Sequence, residues 1–228
     1  MKIILLPGMD GTGILLKTFA AYVNGDVSIL SYDTAQKQDY STLAQFVSNH
    51  LHAHETYFLI AESFSGPIAY ELLKVKPNIV SVVFVASFIT PPNPALVITK
   101  FLPNWLINAK IPHWAAKFLL GHMASNDLVT LFQQTVKRVP HGVLSDRIQA
   151  MLNLKLIPHN IQTRCAYIRP NRDILVSSAC INAIKTQCQH LITYAVDGSH
   201  FVLQVNPKAV AALVNHEIHL ATHPIRQE

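Results

Sequence analysis

The sequence predicts an α/β protein in which a mostly parallel sheet of about six strands lies between two layers of helices. Short β-branched or apolar runs alternate with stretches of helical periodicity, which is typical of parallel strands joined by helical crossovers. Neither an internal repeat nor a low-complexity segment interrupts this alternation. The predicted strands are Lys2–Leu6, Val27–Ser31, Thr56–Ala61, Val80–Ala86, Thr163–Ile168 and Leu191–Val196.

One predicted helix follows each strand except the fourth. The clearest start signal is Asn206 followed by Pro207, because proline fits the first helical turn, where its missing N–H has no partner to lose. The predicted helices are Ile14–Val23, Tyr40–His52, Ser65–Lys76, Ser177–Gln187 and Pro207–His219.

The alternation of strands and helices breaks between about Ile89 and Ile157. The Pro-Pro-Asn-Pro run at 91–94 ends the preceding element, since proline continues neither a helix nor a central strand. The pattern that follows is helical and rich in bulky apolar residues. We therefore expect an inserted helical cap at 89–157, on a core formed by 1–88 and 158–228.

An inserted cap covers part of the surface of the core, so we expect an apolar cleft beneath it. Trp105, Trp114 and Phe118 are candidates for binding a substrate there. Ordinary packing between helices is the alternative explanation of the same residues.

The composition indicates a compact globular protein, because half of the 228 residues are hydrophobic and 14% are charged. The net charge of +5 comes from lysines and arginines scattered singly along the chain, without the runs that mark nucleic-acid binding. We expect no nucleic-acid partner. Two interpretations of the basic balance stay open: a solvated surface, or a weak preference for an acidic partner.

Three cysteines without close paired spacing argue against a disulfide framework or a zinc site and favour a reducing cytosol. The apolar run at 3–6 is too short for the core of a signal peptide, and no stretch approaches the roughly 20 apolar residues of a membrane span. The histidines lack an HExxH arrangement. We therefore expect a cytoplasmic protein without integral membrane association, metal or cofactor.

The most informative stretch of the chain surrounds Ser63. An apolar strand-like run, 57–61, ends at a serine between small residues, and a helical pattern follows at once. This is the layout of a nucleophile elbow, in which a sharp strand-to-helix turn lifts a serine hydroxyl out of the backbone. It predicts acyl transfer through a covalent serine intermediate.

A serine nucleophile needs a base, and the base needs an orienting carboxylate. Asp173 and His200 each follow a predicted strand, in the chain order Ser, Asp, His that proteins with a nucleophile elbow use. The carboxyl ends of parallel strands meet at one edge of the sheet, where ligands bind. Asp197 is the other candidate for the acid, and its alternative interpretation is that of a turn residue.

Two backbone N–H groups have to face the oxyanion of a tetrahedral intermediate. Phe64, directly after Ser63, supplies the first. The glycine-containing loop at 7–13 is the candidate for the second, with Met9 as donor. Read alone, this loop could also cradle a phosphate, but it has neither GxxxxGK[ST] nor GxGxxG spacing.

Together these segments resemble the α/β-hydrolase superfamily over nearly the whole chain. The sequence LLPGMDGTG is similar to the family's oxyanion loop, AESFSGPIA to its serine elbow, RDILV to its acid loop and GSHFVLQVNP to its histidine loop. The resemblance implies Ser63 as nucleophile, Asp173 as acid, His200 as base, and Met9 and Phe64 as oxyanion donors.

Three departures from the family pattern stand out. Ala61 and Ser65 occupy the glycine positions of G-x-S-x-G, where helix and strand backbones come very close, so we expect crowding at the elbow. Pro7 replaces the histidine usual before the oxyanion glycine. The family's first two strands have no counterpart in this sequence, which implies the reduced sheet.

The expected activity is hydrolysis of a carboxylic ester or thioester with an apolar acyl group. One alternative is acyl transfer to a lipid alcohol, since the loop and elbow also resemble acyltransferases of the superfamily. A variant is a methyl esterase for acyl chains on an acidic carrier protein, of the pimeloyl type, which Lys137, Arg138, Arg147 and Lys155 would permit. A non-catalytic binding protein on the same fold is the third possibility.

Overall fold

The computed structural model describes residues 1–92, 111–140 and 142–223. Its strands are β1 (Lys2–Leu6), β2 (Asp26–Ile29), β3 (Tyr57–Glu62), β4 (Ile79–Val85), β5 (Arg164–Arg172) and β6 (Leu191–Ser199). Within the described residues they form one sheet in the order β2-β1-β3-β4-β5-β6, and each neighbouring pair is parallel. The predicted α/β architecture with its reduced parallel sheet is confirmed.

The helices follow the strands in the predicted order. They are α1 (Lys17–Ala20), α2 (Tyr40–Asn49), α3 (Gly66–Val75), α4 (His113–Leu120), α5 (Asn126–Arg138), α6 (Val143–Leu152), α7 (Ser178–Gln187), α8 (Val202–Val205) and α9 (Pro207–Thr222). Single 3₁₀ turns at Ile14–Leu16 and Ser63–Ser65 precede α1 and α3.

The two faces of the sheet pack against different helices, which gives the predicted three layers. Successive strand side chains point to opposite faces. Ile4 and Leu59 belong to the apolar cluster that includes residues of α2, α3 and α7, whereas Leu5 and Ile60 belong to the cluster with residues of α1 and α9. Because both faces are covered, the central strands are apolar without alternation, as β3 is throughout 57–61.

Strands β5 and β6 are longer than the sequence predicts. Their pairing continues to Arg172 and Ser199, beyond a register shift between Pro170 and Arg172. The apolar pattern ends at Ile168 because the extension is polar, so periodicity could not reveal it. Because of this extension, β5 ends directly before Asp173 and β6 ends directly before His200.

Helices α4, α5 and α6 lie between β4 and β5, inside the segment predicted as an inserted cap. The helices α4 and α5 pack together through Ala116, Leu120, Val129 and Phe132. Leu15, which precedes α1, joins this cluster and ties it to the loop after β1. The helical content is as expected, and the division into core and cap stays a prediction.

Candidate active site

Four loops at the carboxyl edge of the sheet carry the residues that the sequence analysis selected. The loop at 7–13 follows β1, and Ser63 follows β3 directly. Asp173 is the first residue after β5, and His200 is the first after β6. Ligands bind at this edge of open parallel sheets, so the strand ends alone define a candidate site.

The backbone at Ser63 is strained in the way that an elbow requires. Its φ of 45° lies in the left-handed region, which residues other than glycine rarely adopt. Such a conformation costs on the order of 1–3 kcal/mol and persists only when the surroundings enforce it. Here the Ser87 hydroxyl donates a 2.7 Å hydrogen bond to the Ser63 carbonyl and holds the turn from beneath.

The closest backbone approach found at this elbow is at Gly66, three residues after Ser63, and the expected crowding at Ala61 and Ser65 stays a prediction. A Cβ on Gly66 would lie 2.1 Å from Ser87 Oγ and 2.3 Å from the Phe88 carbonyl oxygen. The glycine requirement of this elbow therefore falls one position later than in G-x-S-x-G. Ser65 is fully buried, and its hydroxyl bonds both the Tyr32 hydroxyl and the Pro7 carbonyl.

The structure brings Ser63, His200 and Asp173 into one hydrogen-bonded row. Ser63 Oγ lies 2.8 Å from His200 Nε2, and His200 Nδ1 lies 2.9 Å from Asp173 Oδ2. The imidazole and carboxylate are only 7% and 6% exposed. An imidazole placed between a hydroxyl and a carboxylate can accept the hydroxyl proton while the carboxylate fixes its tautomer.

The second oxygen of Asp173 is held by the backbone that follows it. Asp173 Oδ1 accepts hydrogen bonds from the amides of Leu175 and Val176, at 2.8 and 2.9 Å. Asp197, the alternative acid, instead accepts a 2.6 Å hydrogen bond from Arg172 at the exposed edge of the sheet. Asp173 is therefore the carboxylate that the structure places on His200.

The backbone amides of Met9 and Phe64, the two predicted oxyanion donors, have no hydrogen-bond partner among the described residues. The Phe64 amide lies in the first turn of the 3₁₀ segment, where N–H groups have no intrahelical partner. Gly11 donates a 3.0 Å hydrogen bond to the Gly8 carbonyl, which closes the loop as a tight turn.

Glu62, which directly precedes Ser63, is buried and belongs to the site. Its Oε2 accepts from the Gly8 amide at 2.8 Å, and its Oε1 accepts from the Gln204 side chain at 2.7 Å. Burial is the main reason that the pKa of Glu62 is raised to about 7, and the two hydrogen bonds act in the opposite direction.

Arg147 was expected among the basic groups that an acidic carrier could meet, and this expectation is wrong. The side chain is fully buried, because α6 turns it inward onto the loop after β1. Its position could not be read from the sequence, where it is one of several single basic residues in a helical segment.

An apolar cavity of about 280 Å³ adjoins Ser63 and His200, which are among its lining residues. Helices α5 and α6 supply much of the lining, together with the loops that follow β1, β4 and β5. The apolar lining includes Leu15, Phe88, Phe132, Val136, Ile148 and Met151. A cleft beneath the inserted helices is thus present beside the serine.

Two of the three residues proposed to bind substrate are not part of this cavity. Trp114 and Phe118 are 74% and 68% exposed. They lie four residues apart on the outer face of α4, whose inner face is formed by Ala116 and Leu120. Helical packing of α4 on α5 decides this orientation, which apolar content alone did not show. Trp105 lies outside the described residues.

The described residues contain neither a metal-ligand cluster nor a helix suited to crossing a membrane. No group of three or more His, Cys, Asp or Glu side chains among them could hold a metal ion. None of the helices in residues 1–92, 111–140 and 142–223 combines the length and the apolar character that crossing a membrane requires.

Comparison with solved structures identifies the fold. An esterase from Exiguobacterium antarcticum superposes with a TM-score of 0.78 at 11% identity, covering 96% of this chain and 92% of the esterase. A lipase-esterase related protein from Clostridium acetobutylicum gives 0.77 at 17% identity, with coverage of 94% and 93%. An alpha/beta hydrolase fold protein from Chitinophaga pinensis gives 0.72 at 13% identity, with coverage of 96% and 89%.

The protein therefore has the α/β-hydrolase fold, as the resemblance of its motifs implied. No protein-family model matches the sequence, and no curated protein sequence matches it either. At these identities the comparisons establish the fold, and the chemistry has to be argued from the site.

Proposed function

We propose that the protein is a serine hydrolase that cleaves a carboxylic ester or thioester with an apolar acyl group. The observation that carries the proposal is the 2.8 Å contact between Ser63 Oγ and His200 Nε2, at a serine with a φ of 45° beside an apolar cavity. The esterases among proteins of similar fold support the same class.

In the first half of the reaction, Ser63 Oγ attacks the acyl carbonyl carbon while His200 Nε2 accepts its proton. Asp173 stays ionised and stabilises the imidazolium through Nδ1. The carbonyl oxygen becomes an oxyanion, and the Met9 and Phe64 amides donate to it. The C–O or C–S bond then breaks, and the alcohol or thiol leaves with the proton from His200.

In the second half, water replaces the leaving group. His200 removes a proton from the water, which attacks the acyl-enzyme carbonyl, and the acid departs as the proton returns to Ser63. The apolar side chains of the cavity, such as Phe132 and Ile148, bind the acyl chain by removing its surface from water. None of these steps requires a cofactor.

The proposal is tested with p-nitrophenyl esters of short and long acids and with a fluorophosphonate probe. Ser63→Ala should lower the turnover by about 10³-fold or more and abolish labelling, because the nucleophile is removed. Ser41→Ala, at an exposed serine of α2, is the matched control and should behave like the wild type. Equal turnover by the Ser63→Ala variant and the wild type would refute the proposal.

The same assay separates the alternative acceptors. A transferase would yield a new ester in preference to free acid when a lipid alcohol is present. An acidic acyl carrier would have to meet the exposed residues Lys137, Arg138 and Lys155, since Arg147 is buried. The ester bound to such a carrier would then be cleaved much more slowly at high salt, because salt screens surface charge pairs. A chain with no labelling at all would be a binding protein.

A further inference from the structure

Arg147 is a charged residue in the interior of the protein. It comes from the middle of α6, in the segment between β4 and β5, and its side chain has no solvent exposure. Burying a guanidinium is costly unless its donors are satisfied. Burial lowers its pKa, with Tyr32 and Asp10 acting in the opposite direction, but a guanidinium stays protonated.

Its hydrogen bonds all go to neutral oxygens. Nη1 donates to the Met9 carbonyl at 2.8 Å, and Nε and Nη2 donate to Oε1 of Gln38 at 2.9 and 2.7 Å. Gln38 is itself fixed, because its Nε2 donates to the carbonyls of Asp33 and Gln36. Among the described residues, no carboxylate hydrogen-bonds to this cation.

The guanidinium also lies over two aromatic rings. Its central carbon is 5.6 Å from the Tyr32 ring centroid and 5.9 Å from that of Phe64, distances at which a cation is attracted to a ring face. One side chain thus contacts both Met9 and Phe64, the two residues whose amides the proposed mechanism directs at the oxyanion.

The loop after β1 is shaped to receive this side chain. Gly11 has a φ of 67°, and a Cβ there would lie 2.3 Å from Nη1 of Arg147. The absence of a side chain at Gly11 therefore makes room for the guanidinium. On the other side of the loop, Glu62 accepts from the Gly8 amide. The Gly8–Met9 segment is held between a buried carboxylate and a buried guanidinium.

We propose that Arg147 is a positioning residue for the oxyanion hole, which fixes the Met9 carbonyl and the Phe64 ring so that both amides converge beside Ser63. This inference rests on the proposed hydrolase function. Its buried charge is placed against both donor residues, where it favours the negative oxyanion over the neutral carbonyl. Helix α6 therefore supports the chemistry as well as lining the cavity.

The test compares Arg147→Met with Arg147→Lys, and with Arg138→Met as a matched control at an exposed arginine of α5. The readouts are kcat, KM and the affinity for an alkyl trifluoromethyl ketone, whose hemiketal oxyanion occupies the oxyanion hole. Arg147→Met should lower kcat and the ketone affinity by a similar factor of about 10- to 100-fold, with KM changed by less than about threefold. A purely structural role would not make the two losses match.

Arg147→Lys keeps the charge but offers one donor nitrogen in place of three, so it should recover part of both losses. Circular dichroism and thermal unfolding establish that each variant is folded. Should the methionine variant not fold, the lysine variant decides, because one ammonium cannot bond Met9 and Gln38 as the guanidinium does. We then expect a ketone affinity at least about threefold below that of the wild type.

The inference would be overturned if folded Arg147→Met had the kcat and the ketone affinity of the wild type. If Arg147→Met does not fold, the same result for Arg147→Lys would overturn it. It would also be overturned by a rise in KM alone. Fluorophosphonate labelling of wild-type Ser63 keeps the two proposals apart. If wild-type Ser63 is labelled and the Arg147 variant has unchanged kcat and ketone affinity, only this inference fails. If wild-type Ser63 is not labelled, the proposed hydrolase function fails as well.

Discussion

The Gly8 amide donates a 2.8 Å hydrogen bond to Oε2 of Glu62, so the carboxylate next to Ser63 anchors the loop after β1. The fit is close, since a Cβ on Gly8 would lie 3.1 Å from the same oxygen. The Gln204 side chain holds the other carboxylate oxygen. A buried carboxyl whose pKa is raised to about 7 is thereby built into the floor of the candidate site.

Glu62 should make the stability of the folded protein pH-dependent. Its folded pKa of about 7 exceeds the value of 4.5 for an unperturbed glutamate, so the folded state holds the proton more tightly. The stabilisation is complete below about pH 4.5 and is lost as the pH rises through about 7. A shift of this size corresponds to about 3 kcal/mol.

Urea unfolding at pH 4.5 and pH 8 measures this effect. Glu62→Gln has no carboxyl group to titrate. From pH 4.5 to pH 8 the free energy of unfolding of the wild type should therefore fall by about 3 kcal/mol relative to that of Glu62→Gln. Glu71→Gln, on the exposed side of α3, controls for the loss of one carboxylate. Parallel pH dependences of the wild type and Glu62→Gln would contradict the assignment.

Asp173→Asn should lower kcat by about 10³- to 10⁴-fold, because an amide can neither fix the imidazole tautomer nor stabilise the imidazolium. Asp197→Asn is its matched control, since this carboxylate contacts Arg172 at the surface. Steady-state kinetics on a p-nitrophenyl ester measure both. A large loss in Asp197→Asn together with an active Asp173→Asn would reverse the two roles.

The chain order of Ser63, Asp173 and His200 could be recognised from the sequence because each residue lies within a few residues of the end of a predicted strand. Glu62 and Arg147 could not be placed, because their burial depends on Gln204 and on the rotation of α6, which are tertiary facts. For the same reason Trp114 was misassigned: helical periodicity gives the faces of α4 but not which face meets α5. The close contact at Gly66 was missed because it depends on Ser87 and Phe88, more than 20 residues later in the chain.

The hydroxyl of Ser65 should contribute to stability through its bonds to Tyr32 and Pro7. Ser65→Ala leaves a buried hydroxyl and a buried carbonyl without this partner, which should cost about 1–3 kcal/mol. Adding Tyr32→Phe removes one of these orphaned groups, so the double variant should lose less than the sum of the single variants. Strict additivity in thermal or urea unfolding would show that the two hydroxyls are not coupled.

Enlarging a side chain of the cavity should change the preferred acyl length. Val136→Phe adds bulk to the wall formed by α5, so kcat/KM for a long-chain p-nitrophenyl ester should fall by about 10-fold while that for the acetate is retained. Trp114→Ala, on the outer face of α4, should leave both values unchanged. A selective loss of long-chain activity in Trp114→Ala would return that residue to the binding site.

The hydrogen bond from Arg147 to the Met9 carbonyl has a consequence for how such a protein could change over time. Helices between β4 and β5 would be expected to vary freely if they only enclosed the substrate. Here α6 also supports the loop after β1. Replacing α6 with a helix from another protein would therefore change both the substrate preference and the turnover rate. A chimaera that keeps Arg147 and Gln38 is the one in which selectivity could be redesigned without loss of rate.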